Sequence, residues 1–92
     1  MDKNILLVQL EELAYKLGLK IREEHIAEDE VPVVGGLCRI KDENVIIINS
    51  KAAVKDRIRV LIDVFSRFDL NNIYIRPALR EMLERQKNIR FE

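Results

Sequence analysis

The apolar positions of the chain change period several times, and each change marks an element. Leu6, Leu10, Leu13 and Leu17 recur at i, i+4, i+7 and i+11 with Ala14 beside them. That spacing predicts a helix over 3–17, with Asp2 as its N-cap and Gly18 as the left-handed residue that stops it. Tyr15 falls at the edge of this apolar face and is expected to pack there, while Glu12 and Lys16 are spaced as an i,i+4 pair on the outer face. From Leu19 the period becomes two, predicting a strand over 19–24 whose charged side suits a sheet edge. Gly35-Gly36 then opens a second strand over 37–41, as a bulge or a close backbone approach. Asp42-Glu43-Asn44 makes the turn into a third strand over 45–49. Val45, Ile46, Ile47 and Ile48 are apolar at consecutive positions, so this strand is expected at the centre of the sheet, covered on both faces.

The best helix follows, over 51–68. Val54, Ile58, Leu61, Ile62 and Phe65 form one stripe, and Ala53, Val60, Val64 and Phe68 widen it to an arc of roughly 200°, against about 100° for an ordinary surface helix. Such a helix is packed on more than one side. Asn49-Ser50 is its expected cap. Arg57 falls inside the apolar arc and, if buried, has to find a carboxylate or carbonyl partner. Residues 69–72 end the helix, 73–75 cross as an extended segment, and Pro77 opens a last helix with Leu79, Met82 and Leu83 on its apolar face. Arg80/Glu84 and Glu81/Arg85 are spaced as i,i+4 pairs, and 87–92 are expected to fray. The expectation is an α+β fold in the order helix, strand, β-hairpin, long central helix, C-terminal helix. A small three-stranded sheet carries the helices, in a single domain over 1–92.

Composition narrows the function classes. The chain of 92 residues carries 16 basic and 16 acidic residues, for a net charge of zero, and so has no general field for gathering nucleic acid or anionic lipid. The arginines Arg57, Arg59, Arg67, Arg76, Arg80 and Arg85 are interleaved with acids, which disfavours a phosphate-binding stripe. A single cysteine, Cys38, fits a reducing compartment. The first 17 residues have no uninterrupted apolar core or cleavage site and no window approaches 18 apolar residues, so a cytoplasmic protein without a membrane span is expected.

Candidate chemistry is sparse. His25, the only histidine, stands near Glu23, Glu24, Glu28, Asp29 and Glu30, but one imidazole among surface carboxylates is a weak hard-ion surface rather than a metal site. Cys38 has no neighbouring base, and its strand position predicts a buried, inert thiol. Gly35-Gly36 lacks the remainder of any phosphate-binding motif. No metal, cofactor or catalytic residue is assigned.

The run Ile46-Ile47-Ile48-Asn49, the connection after it, and Leu61-Ile62-Asp63-Val64-Phe65-Ser66-Arg67 resemble the N-terminal core of ImmA/IrrE-type metallopeptidase domains. In that family a strand reading like ILIN precedes a helix that carries L-A-H-E-x-x-H. The resemblance covers residues 1–68 and implies a zincin-like scaffold. It also implies that Asp63 and Arg67 stand where the zinc-binding histidines would be, and Val64 where the general base would be. A guanidinium cannot be deprotonated for a metal and a valine cannot move a proton. The motif is degenerate, and the helix presents an Arg59-Asp63-Arg67 charge ladder instead.

The leading expectation is therefore a non-catalytic domain acting in protein–protein interaction or regulation. The alternative is a small enzyme, built around Cys38 and Arg39, or a nucleic-acid-binding regulator using an unrecognised site. A homodimer is expected through the C-terminal third, with Ile73, Tyr74, Ile75, Leu79 and Met82 as the interaction surface.

Overall fold

A computed structural model describes residues 2–25 and 35–89, with side chains through 85. The elements are α1 (Lys3–Lys16), β1 (Lys20–Glu24), β2 (Gly35–Ile40), β3 (Glu43–Asn49), α2 (Val54–Phe65) and α3 (Pro77–Ile89). The strands form one mixed sheet in the order β1-β3-β2. β3 is central, parallel to β1 and antiparallel to β2, with Ile46 opposite both Ile21 and Leu37. The α+β architecture, the central third strand and the charged edge strand β1 all match what the periodicity implies.

Alternation along the strands sorts their side chains into two faces. Ile46 and Ile48 point with Ile21 and Leu37 into the core, where they meet Leu10, Leu13 and Ala14 of α1 and Leu61, Val64 and Phe65 of α2. Val45 is buried on the opposite face and Ile47 half-buried there, outside that core. Ion pairs Lys20–Glu43 at 2.8 Å and Arg22–Glu24 at 2.7 Å lie on this second face. The apolar run thus has two buried sides, but the core and the helices lining it belong to one of them.

α1 begins where the sequence places it, with the Asp2 carboxylate accepting from Asn4 N–H at 2.7 Å, and Gly18 follows it at φ 75°. α2 is shorter than the apolar arc suggests. Asn49 does not cap it: its side chain accepts from Lys51 N–H at 3.1 Å, making a separate turn, and the N-cap is Ala53, without a side-chain bond. At the other end the Ser66 hydroxyl donates to the Asp63 carbonyl at 2.6 Å. The chain then closes in tighter turns, Arg67 N–H to Val64 O and Phe68 N–H to Phe65 O at 3.1 Å each.

The hairpin turn also moves. It lies at Lys41-Asp42, with φ of 49° and 66°, so Glu43 and Asn44 join β3. α3 runs on through Ile89, so 87–89 are helical, while 90–92 of the expected frayed tail lie outside the described residues.

Candidate interaction surface

Leu10, Leu13 and Ala14 fix which side of α1 faces the core. At 100° per residue this leaves Ile5, Val8, Glu12 and Tyr15 along the opposite side, and all four are exposed. Ile5 is 55%, Val8 52% and Tyr15 85% exposed; with Tyr74 at 73%, they are the large exposed hydrophobics of the described residues. Tyr15 is therefore not a packing residue, because the leucines alone fill the buried side. The Lys16 ammonium sits 5.8 Å from the centroid of the Tyr74 ring; its contact is this cation–π geometry rather than a pair with Glu12. An open groove of about 330 Å³ runs beside the stripe, lined by Asn4, Ile5, Val8, Gln9, Glu12 and Arg76. On its wall the Gln9 Oε1 is shut off from solvent, with no hydrogen-bond partner among the described residues.

The stripe is missed by a search for one apolar face. Its sequence mark is that α1 carries apolar residues on both sides, Ile5 and Val8 as well as the leucine series. A helix that is apolar beyond its core-facing side has a second use for apolar surface.

The residues expected to form the surface divide. Tyr74 is exposed, Ile73 and Met82 are half-buried, but Ile75 is only 6% and Leu79 only 3% exposed. Ile75 and Leu79 are core residues, drawn in because the 73–76 segment folds back onto α2 and α3. Arg80 holds that segment: its guanidinium donates to Leu70 O at 3.0 Å and Ile73 O at 2.8 Å, in place of the expected pair with Glu84. Glu81 and Arg85 do pair, at 3.1 Å. The hollow beneath, bounded by Phe65, Phe68, Ile75 and Leu83, encloses about 90 Å³, well short of the roughly 300 Å³ at which ligand pockets begin.

The motif positions on α2 are not gathered around a common point. Val64 is 1% exposed and faces the core. Asp63 and Arg67 are joined at 3.2 Å, but Arg67 lies past the C-cap Ser66, so the two are not successive turns of one helix. Of the expected ladder this rung forms; the described contacts include none from Arg59. Among the described residues no group of three or more histidine, cysteine or acidic side chains converges as a metal site. Glu28, Asp29 and Glu30 lie outside the described residues. Cys38 is exposed, not buried, because its register opposite Val45 turns it to the face of the edge strand β2 away from the core. Among the described residues, no helix is long and apolar enough to cross a membrane.

Compared with models of known families, with curated proteins and with solved structures, the chain matches none.

Proposed function

We propose that this chain is a small non-catalytic domain on a zincin-like scaffold, acting in the cytoplasm through protein–protein contact in a regulatory role. The observation that carries the reading is the exposed stripe Ile5, Val8 and Tyr15 with Tyr74 beside it. Single exposed apolar residues are ordinary, whereas an aligned set bordering a groove marks a surface meant to be covered. The arginines favour a protein partner over nucleic acid. Arg57 and Arg80 are spent on backbone carbonyls, and Arg67 and Arg85 on carboxylates, which leaves few guanidinium groups for phosphates.

The test is affinity capture from the source cell with the native chain and with Val8→Glu, after circular dichroism has shown both to be folded. A partner, itself included, held by the first and lost from the second supports the reading. Identical captured sets would sink it.

A further inference from the structure

Ile5, Val8, Glu12 and Tyr15 are spaced three, four and three apart, which is the a/d spacing of a coiled-coil seam. Asn4 and Glu11 flank this seam on one side, and Gln9 and Lys16 on the other. When two such helices pair in parallel, each residue of the first flank meets the partner's second-flank residue five positions further on. Glu11 then faces the partner's Lys16, an acid against a base. Asn4 faces the partner's Gln9, an amide against an amide. Antiparallel pairing would instead set Glu11 against Glu11, and Lys16 against an Asp2 carboxylate already engaged in capping its own helix. Resting on the reading of this face as an interaction surface, we infer that its occupant is the same face of a second copy, parallel across a two-fold axis along α1.

Glu12 is the discordant member, because the two-fold brings two carboxylates together. Arg76 lines the same groove as Glu12 but makes no described ion pair with it, so the two facing carboxylates count against the contact. A polar a position lowers stability while fixing register. The contact is also small: α1 has 14 residues, about 21 Å of helix, which places it among interfaces under roughly 1,200 Å² that associate transiently. The dimer is reversible, with a dissociation constant on the order of 10–100 μM.

Sedimentation velocity of the full chain across that range tests the inference. The native chain moves from monomer to dimer with concentration. Val8→Glu raises the dissociation constant at least about tenfold, as does Glu11→Lys, and Glu11→Lys combined with Lys16→Glu recovers most of the loss, because the swapped charges meet again. A native chain that stays monomeric throughout would overturn the inference, and so would a dimer indifferent to Val8→Glu or a double swap no better than Glu11→Lys. A monomer whose capture of another protein is lost in Val8→Glu would overturn this inference alone; retention of every captured protein by Val8→Glu would overturn the interaction reading too.

Discussion

Arg57 and Glu23, 34 residues apart in the chain, are joined side chain to side chain between α2 and the end of β1. The same guanidinium donates to Ala52 O at 3.0 Å and Ser50 O at 3.1 Å. The one cation in the apolar arc is thereby satisfied by three acceptors at the place where β1, β3 and α2 meet. It also explains where α2 begins, because the Ser50 and Ala52 carbonyls are held from outside instead of opening the helix.

The partners are unequal. Glu23 is 53% exposed and Arg57 only 20%; the ion pair and the bond to Ser50 O are open to water, while the bond to Ala52 O is part-buried. Arg57→Ala should lower the unfolding free energy by about 1–3 kcal/mol, since the part-buried Ala52 carbonyl loses its donor. Glu23→Gln should cost less than about 1 kcal/mol. Urea unfolding of both variants checks the order; a larger loss for Glu23→Gln would reverse this assignment.

Gly35 and Gly36 should respond differently to the same change. A Cβ on Gly35 would lie 2.2 Å from the Ile47 carbonyl oxygen, whereas one on Gly36 meets nothing within 4 Å. Gly35→Ala should destabilise by about 1–3 kcal/mol through forced displacement of backbone, and Gly36→Ala should stay within about 0.5 kcal/mol of native. Thermal melts of the two variants, with equal losses as the contrary result, decide the point.

The β2–β3 turn leaves room for improvement. Lys41 and Asp42 both have positive φ, the signature of a type I′ turn, which Asn-Gly fits best. Replacing the pair with Lys41→Asn and Asp42→Gly should raise stability by about 0.5–1 kcal/mol, chiefly by removing backbone strain. A lowered urea midpoint would show that the Asp42 side chain, 3.9 Å from Arg39, matters more than the backbone.

Element types were legible because consecutive isoleucines, a period-two strand and a leucine-spaced helix each allow one reading. Boundaries were less so, and for local reasons. Asp42, Glu43 and Asn44 all suit turns, yet pairing with Arg39 and Ile40 on β2 draws the last two into β3. Asn49 is a good cap by type, but makes its own turn. The surface was harder to read than the core. Ile75 and Leu79 look like an unused apolar patch until the Arg80 bonds fold the 73–76 segment inward, and Cys38 looks buried until the pairing with Val45 turns it away from the core. The stripe on α1 was written in the sequence at heptad spacing, but the stronger leucine series on the same helix masks it.

Cysteine cross-linking tests the central claim most directly. In a Cys38→Ser background, which removes the exposed native thiol, Val8→Cys would face its own copy across the two-fold. Mild oxidation at about 100 μM should convert most of the chain to a disulfide dimer, while Lys55→Cys, exposed on α2, should cross-link poorly. Val8→Cys remaining monomeric, or cross-linking no faster than Lys55→Cys, would contradict the account.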